Sequence, residues 1–115
     1  MMLSSRLTVA PAEGTWVIRA GGAVIGESSR ALELHEDGHD PVIYFPREDL
    51  GMAFIEPSAT RWSDQTKGEA SYFTIVTRNG LIADAGWSYE TPLEDAARIA
   101  GYMAFYPDRV TIERV

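Results

Sequence analysis

The dipeptide Asn79-Gly80, set between two runs rich in apolar and β-branched residues, constrains the fold of this chain more than any other feature. Asn-Gly between such runs is the strongest short-range signal for a β-hairpin, because both residues accept a backbone with positive φ. The sequence therefore predicts two antiparallel strands, at 71–78 and 81–87, joined by a two-residue turn.

The register of this hairpin decides which side chains share a face of the sheet. Counting outward from the turn predicts three cross-strand pairs on one face: Tyr72 with Trp87, Thr74 with Ala85, and Val76 with Ala83. The other face carries Phe73, Ile75, Ile82 and Asp84. If that second face is the core, Asp84 needs a partner or has a perturbed protonation. The first face suits the wall of a cleft and, equally, a surface that packs against a helix or a second sheet.

A second hairpin is predicted at Gly21-Gly22, because glycine accepts the positive φ of a tight turn. It joins strands at 16–20 and 23–27, and its register pairs Ile18 with Ile25 and Trp16 with Glu27. The polar segment 58–66 is predicted to be a loop. Further strands are predicted at 31–35, 42–45, 52–56 and 110–115, the last as an edge strand with charges on its exposed face.

One short helix is predicted near the C-terminus. Thr91-Pro92-Leu93-Glu94 matches a capping box with proline at the first helical position, and the following alanines recur at helical spacing as far as Gly101. At 115 residues the chain has the size of one domain. We therefore expect a small, mainly β, single domain over 1–115, with 1–13 as a loosely ordered N-terminal segment.

The charge balance argues against several classes of partner. A net charge of −7 with ten scattered Lys and Arg residues disfavours nucleic acid and anionic membranes. No apolar run approaches the roughly 20 residues of a membrane span. With no cysteine there is no disulfide and no thiolate metal site, and the N-terminal residues lack the features of a secretion signal. These features predict a cytoplasmic protein with no metal and no cofactor.

Few residues match a known catalytic arrangement. The chain lacks both the GxxxxGK[ST] and the GxGxxG phosphate-binding motifs. Its two histidines, His35 and His39, are expected to be structural or solvated. Although His39 lies beside Asp37 and Asp40, that loop lacks the rigid spacing of a metal site. No catalytic residue is therefore assigned.

The preferred hypothesis is a pocket that binds a small polar or anionic molecule. Aromatic residues, a lysine and carboxylates concentrate between positions 41 and 106, and the candidate ligand-binding residues are Tyr44, Arg47, Asp49, Lys67, Tyr72, Trp87 and Tyr89. The rings form the walls of this pocket, since ring faces bind planar or cationic groups. Lys67 and Arg47 offer positive charge to an anion, and Asp49 orients one of them or accepts a hydrogen bond. Aromatic residues at strand ends also suit an ordinary packed core.

Two other hypotheses belong to different classes. The chain can be a hydrolase or group transferase in which Lys67 stabilises negative charge while Asp49 or Glu69 acts as general base. It can also be a structural module that forms a homodimer through the edge strand at 110–115.

Several motifs in order along the chain resemble one known family. They are Glu27-Ser28, Tyr44-Phe45-Pro46-x-x-Asp49, Lys67-Gly68-x-Ala70-x-Tyr72, Trp87-Ser88-Tyr89-x-x-Pro92, Ile99-x-Gly101 and Ala104-Phe105-Tyr106. Together they are similar to the bacterial family known as domain of unknown function 427, from about Gly14 to the C-terminus.

The resemblance implies a β-tent-like fold, in which two small antiparallel sheets lean together and a ligand site lies between them or at their mouth. Many β-tent proteins bind zinc through four cysteines, and this chain has none, so its core supplies the stability alone. The family commonly has Cys-Pro-Tyr before its Lys-Gly, where this chain has Asp64-Gln65-Thr66. The family also carries a nucleotidyltransferase label, but the phosphate loop and Asp-x-Asp pair typical of that chemistry are missing here.

Overall fold

The computed structural model describes residues 6–115, which form ten β-strands in three antiparallel sheets. The strands are β1 Leu7–Pro11, β2 Trp16–Ala20, β3 Ala23–Ser28, β4 Leu32–Glu36, β5 Val42–Tyr44, β6 Ile55–Asp64, β7 Gly68–Thr77, β8 Gly80–Ser88, β9 Met103–Phe105 and β10 Thr111–Arg114. The sheets have the strand orders β1-β4-β5, β10-β2-β3 and β6-β7-β8-β9. The mainly β, antiparallel class predicted from the sequence is confirmed, with three sheets where two were expected.

The N-terminal segment contributes an edge strand to the sheet that β4 and β5 form. Residues 7–11, expected to be loosely ordered, form β1 and pair with β4; residues 1–5 lie outside the described part of the chain. This sheet is joined to the four-stranded sheet by a pair of backbone hydrogen bonds. Phe45 N donates to Met103 O at 2.7 Å, and Met103 N donates to Phe45 O at 2.9 Å. The end of β5 is thereby held against β9.

Three 3₁₀ segments, Arg47–Asp49, Met52–Phe54 and Glu94–Ile99, connect the strands. The predicted C-terminal helix forms as the last of these, and it is interrupted by non-helical dihedral angles at Ala96. Leu93 holds its cap position without a side-chain hydrogen bond, so the predicted capping box does not form. Among residues 6–115, no helix has the length and apolar character to cross a membrane.

The prediction of a strand at 52–56 was right only for 55–56, and the prediction of a loop at 58–66 was right only for 65–66. Met52–Phe54 is a 3₁₀ turn, and β6 then runs from Ile55 to Asp64, through the segment that was predicted to be a loop. Most β6 side chains are exposed because β6 is an edge strand paired only with β7. An edge strand exposed on both faces has no apolar alternation, and the sequence pattern that usually reveals a strand is therefore missing.

The hairpin of β7 and β8 keeps the predicted pairing at its far end and loses it near the turn. Tyr72 is opposite Trp87, as predicted. Val76 is opposite Leu81 rather than Ala83, because the turn residues are Arg78 and Asn79 and Thr77 pairs with Gly80. Gly80, predicted to lie within the turn, is instead the first residue of β8. It has a positive φ of +124° there.

A bulge in β8 separates the shifted register near the turn from the predicted register at the far end. Between the pairs Ile75–Ile82 and Phe73–Gly86, one residue of β7 faces three of β8. Asp84, at the centre of the bulge, has φ of +50° and accepts hydroxyl hydrogen bonds from Ser58 at 2.6 Å and Thr60 at 2.7 Å. These hydrogen bonds lower the pKa of the Asp84 carboxyl. The bulge also turns Ala85 into the core beside Phe73 and Ile75, so its predicted place on the Tyr72 face was wrong.

The first hairpin shows the same effect on a smaller scale. Ala20 pairs with Ala23 across Gly21-Gly22, as the two-residue turn predicts. A register shift after Arg19 then sets Ile18 opposite Gly26 and Trp16 opposite Ser28, so the predicted partners Ile25 and Glu27 were wrong. The extra residue lets Ile18 and Ile25 both reach the buried core.

The buried residues form two clusters, and each face of the β7–β8 hairpin packs on one of them. The larger cluster contains Phe73 and Ile75 together with Ile18, Phe45 and Phe105. The smaller cluster is built around Leu34, Tyr44, Tyr89, Ile99 and Ala104, with Tyr72 and Trp87 packed against it. Both faces of the hairpin therefore bury apolar surface, and the smaller cluster, rich in tyrosine, opens toward the surface.

Candidate functional site

A cleft of about 240 Å³ lies over the smaller cluster. Six aromatic side chains line it: Tyr44, Trp62, Tyr72, Trp87, Tyr89 and Tyr106. They come from the end of β5, from β6, β7 and β8, and from the segments that follow β8 and β9. We call this the aromatic cleft.

The rings of the aromatic cleft contact one another at defined angles. Trp87 lies 4.6 Å from Tyr106 between ring centroids, and Tyr72 stacks on Tyr106 at 6.4 Å with the planes 21° apart. Tyr44 meets Trp87 edge-on at 6.4 Å. Two hydrogen bonds hold the group together: Trp87 Nε1 donates to Tyr44 Oη at 3.1 Å, and the hydroxyls of Tyr72 and Tyr106 lie 3.0 Å apart. The wall is therefore preorganised.

A buried cluster of charges lies at the other side of the cleft. Lys67, only 7% exposed, directs Nζ at Glu36 Oε1 at 2.9 Å, at Asp64 Oδ2 at 3.1 Å and at Thr66 Oγ1 at 3.3 Å. Thr66 Oγ1 also lies 3.1 Å from Glu36 Oε2 and 2.7 Å from Asp64 Oδ1. We call these four residues the Lys67 cluster. An ammonium ion has three protons, and each of them has an acceptor here.

The turn that presents Lys67 is organised by Asp64. Its Oδ1 accepts hydrogen bonds from Thr66 N at 2.8 Å and Lys67 N at 3.1 Å, the pattern by which an aspartate caps its own turn. Burial by itself raises the pKa of the Asp64 carboxyl, but the hydrogen bonds from Thr66 and Lys67 outweigh burial and lower it to about 2. Asp64 is therefore ionised throughout the physiological range.

The tyrosines of the cleft stay protonated. Burial raises the pKa values of Tyr44, Tyr72 and Tyr89, and the hydrogen bond with Tyr106 raises that of Tyr72 further. Their hydroxyls therefore act as neutral donors and acceptors. Tyr89 is 4% exposed, and among residues 6–115 its hydroxyl makes no hydrogen bond, although the side chain lines the cleft.

The aromatic cleft contains most of the candidate ligand-binding residues named from the sequence. Tyr44, Lys67, Tyr72, Trp87 and Tyr89 all line it. The other two candidates, Arg47 and Asp49, lie elsewhere. The guanidinium of Arg47 lies 5.3 Å above the Phe73 ring and forms an ion pair with Glu90.

Asp49 has a structural role. It accepts hydrogen bonds from Ser28 Oγ at 2.7 Å and from Arg30 Nη2 at 2.9 Å, tying the end of β3 to the Arg47–Asp49 turn. The Arg30 and Ser28 hydrogen bonds lower the pKa of its carboxyl. Glu69, the other acid suggested as a general base, is exposed and pairs with Ser63 across β6 and β7. The structure therefore gives Lys67 different acidic neighbours, Glu36 and Asp64.

Sequence reasoning missed several residues of the cleft. Asp64 had a local signal, because Asp-x-Thr before Lys-Gly is a typical aspartate-capped turn. Glu36 had none, since it reaches the cleft from β4, distant in sequence. Tyr106 belongs to one of the family motifs but was not named as a candidate. His39 and Asp40, assigned to a solvated loop, also line the cleft. No group of three or more metal-ligand side chains occurs within residues 6–115.

A second hollow, of about 610 Å³, lies between the tips of the two hairpins. Its lining includes Gly21, Gly22, Val24, Phe54 and Arg78, and it has no carboxylate. We call it the hairpin-tip hollow. Although it is larger, its walls are turn residues and exposed apolar side chains, with Val24 55% and Phe54 52% exposed. The aromatic cleft is the better candidate site, because it combines ring faces with buried charge.

Comparison with known proteins supports the family resemblance. The model of the family described as Domain of unknown function (DUF427) matches residues 8–115, and the chain therefore belongs to this family. No curated protein matches the chain.

Proposed function

We propose that this member of the DUF427 family binds a small polar molecule in the aromatic cleft. The observation that carries the proposal is the convergence of six aromatic side chains and a buried, hydrogen-bonded Lys67 on one cleft. Ligand sites are typically apolar and aromatic hollows with a few convergent polar groups, and the aromatic cleft has that composition.

The Lys67 cluster supports a functional reading of the cleft. Removing a lysine and two carboxylates from water costs free energy that their mutual attraction only partly recovers, and an apolar cluster of equal volume often gives equal stability. The side chains of Lys67, Glu36 and Asp64 are only 9%, 12% and 27% exposed. Such a cluster is better explained by recognition of a polar ligand than by stability alone.

The size and rings of the cleft restrict the ligand. Its volume of about 240 Å³ lies below the range of roughly 300–1,000 Å³ that is typical for drug-sized ligands. The Trp87 and Tyr106 rings offer stacking surfaces, and the free hydroxyl of Tyr89 offers a hydrogen bond. We therefore expect a compact ligand with at least one polar group.

The two alternative functions gain no support from the geometry. An enzyme that uses Lys67 with Asp49 or Glu69 needs these groups together, whereas Asp49 binds Ser28 and Arg30 and Glu69 is exposed on β7. Homodimerisation through β10, an edge strand of its sheet, stays a prediction.

A thermal-shift screen of a broad metabolite library, followed by tryptophan fluorescence, tests the binding proposal. A ligand that binds only the folded state stabilises it by about 2.7 kcal/mol at a hundredfold excess over the dissociation constant. We expect at least one hit that also changes tryptophan emission.

Two exposed aromatic residues provide a matched pair of variants. Trp62 is 62% exposed and lines the aromatic cleft, whereas Phe54 is 52% exposed and lines the hairpin-tip hollow. Trp62→Ala should weaken the hit and Phe54→Ala should leave it unchanged. A screen without hits, or a hit lost only in Phe54→Ala, would overturn the proposal.

A further inference from the structure

The charged residues of the aromatic cleft are mostly acidic. Among residues 6–115, its lining contains the carboxylates of Glu36, Asp40 and Asp64 and one lysine, Lys67. With His39 neutral, the lining has a net charge of −2. A hollow with low-dielectric walls and charge of one sign concentrates ligands of the opposite sign.

Lys67 is already engaged by acceptors of its own cluster. Its Nζ donates to Glu36 Oε1 at 2.9 Å and to Thr66 Oγ1 at 3.3 Å, and it forms an ion pair with Asp64 Oδ2 at 3.1 Å. An incoming anion would have to displace one of these acceptors and would then meet the remaining carboxylate. Arg47, the other cation expected to attract an anion, lies outside the cleft and is paired with Glu90.

The acceptors of the cleft, by contrast, have spare capacity. Each carboxylate oxygen accepts about two hydrogen bonds, and within residues 6–115 Glu36 Oε1, Glu36 Oε2 and Asp64 Oδ2 each have a single partner. Independently of the acids, the Tyr89 hydroxyl is unpartnered among these residues although the side chain is only 4% exposed and lines the cleft. The hydroxyl oxygen is not itself buried, so a ligand in the cleft with a polar group can reach it and supply the missing partner.

The ring faces favour the same class of ligand. Trp87 and Tyr106, 4.6 Å apart between ring centroids, both line the cleft that contains the carboxylates. A cation within about 6 Å of such a ring face is attracted by the ring quadrupole, and tryptophan is the best ring for this contact.

We propose that the ligand of the aromatic cleft is a small organic ammonium ion, held between the aromatic rings and the carboxylates of Glu36, Asp40 and Asp64. This inference rests on the proposed function, because it names the chemical class of the molecule bound in the same cleft. The ammonium group lies against the ring faces, and a polar group of the same molecule reaches the Tyr89 hydroxyl.

Isothermal titration of the full chain with probes of matched shape tests the charge preference. The probes are choline and ethanolamine as cations, 3,3-dimethyl-1-butanol as the neutral isostere of choline, and acetate and phosphate as anions. We expect choline to bind about tenfold more tightly than its neutral isostere, the scale of a partly desolvated cation–π contact. Acetate and phosphate should not compete with it.

Variants of two acidic residues in one loop test whether the cation contacts a carboxylate directly or responds only to the net charge of the protein. Asp40 and Asp37 are both exposed, but only Asp40 lines the cleft. Asp40→Asn should weaken cation binding several-fold, and Asp37→Asn, with the same change in net charge, should not. Equal losses in the two variants would overturn the proposed contact.

The outcomes of these titrations also distinguish a failure of the ammonium proposal from a failure of the proposed binding function. Binding of the neutral isostere as tightly as choline, or preference for an anion, would overturn the ammonium proposal and leave a ligand-binding cleft. Absence of binding by every probe, together with a metabolite screen without hits, would overturn both.

Discussion

The hairpin-tip hollow is larger than the aromatic cleft, but the aromatic cleft has more of the side chains that a binding site needs. The hollow is the larger, at about 610 Å³ against 240 Å³, yet turn residues and exposed apolar side chains line it. The cleft contains a buried lysine, three carboxylates and six aromatic side chains. The comparison shows that volume alone does not identify a binding site. The free energy spent on burying charge is the better indication.

The two hollows also differ in how the chain builds them. The hairpin-tip hollow also brings together segments distant in sequence, the tips of the two hairpins and the Met52–Phe54 segment, but among residues 6–115 no side-chain hydrogen bond or ion pair joins these segments. The cleft is assembled from segments far apart in the chain, as in the ion pair of Lys67 with Glu36, 31 residues away. We therefore expect the cleft to be the more rigid region, because opening it breaks contacts between sheets.

The largest expected effect is on the Lys67 cluster. Lys67→Met keeps most of the side-chain volume but leaves Glu36 and Asp64 buried without their cation. Breaking a buried ion pair in this way should lower the free energy of unfolding by about 3–5 kcal/mol, measured by urea denaturation at pH 7.

Arg78→Met is the matched control at the hairpin-tip hollow. Arg78 is exposed, so this variant should change stability by less than about 0.5 kcal/mol. If the two variants lose similar stability, the Lys67 cluster does not stabilise the aromatic cleft more than Arg78 stabilises the hairpin-tip hollow, and the comparison of the two regions is wrong.

Acid should destabilise the cleft through Asp64. Its pKa in the folded protein is about 2, below the ordinary value, so its ionised form stabilises the fold above about pH 4. That contribution is lost as the pH falls from about 4 to about 2, because in this range the unfolded chain binds a proton at Asp64 that the folded protein does not bind. Between these limits the wild-type protein should lose on the order of 2 kcal/mol more stability than Asp64→Asn.

Urea denaturation at several pH values between 2 and 5 measures this difference, with Asp37→Asn as a control that should retain the wild-type pH dependence. Parallel curves for wild type and Asp64→Asn would mean that the Thr66 and Lys67 hydrogen bonds do not stabilise the ionised carboxylate.

The smallest expected change in stability is the difference between removing the hydroxyl of Tyr44 and removing that of Tyr89. Tyr44→Phe removes the acceptor of Trp87 Nε1, so it should cost about 1 kcal/mol. Tyr89→Phe removes a hydroxyl without a partner among residues 6–115, so stability should change by less than about 0.5 kcal/mol. Thermal denaturation of both variants checks this, and in Tyr89→Phe any ligand found for the cleft should bind more weakly. A Tyr89→Phe variant as unstable as Tyr44→Phe would assign that hydroxyl to structure.

Much of the fold could be predicted from local patterns. Glycine-containing turns and alternating apolar residues identified both hairpins and β4, β5 and β10. The predicted registers failed beyond the bulge between Ile18 and Arg19 in the first hairpin, and between the turn and the bulge at Asp84 in the second. A bulge forms because side chains such as Ile25 and Ala85 gain burial in the core, and that gain depends on what packs above the strand. Local sequence does not contain this information.

The residues of the candidate site were also predictable from the sequence only in part. The aromatic residues and Lys67 were recognisable as unusual residue types in one stretch of the chain. The predicted Tyr72–Trp87 pair forms because the bulge in β8 offsets the shifted turn. Arg47 and Asp49 belong to the same stretch, but they lie outside the cleft and pair with Glu90 and Arg30. Proximity in sequence was therefore an unreliable guide to which polar side chains share a site.

The sequence by itself determined the antiparallel β class and the positions of the hairpins, because turn chemistry and side-chain alternation act over a few residues. Only the tertiary structure decided that β4 brings Glu36 to Lys67 and that the segment after β9 lays Tyr106 against Trp87. Those contacts depend on how three sheets pack, so the charge of the cleft, and with it the class of ligand, emerges only when distant strands meet.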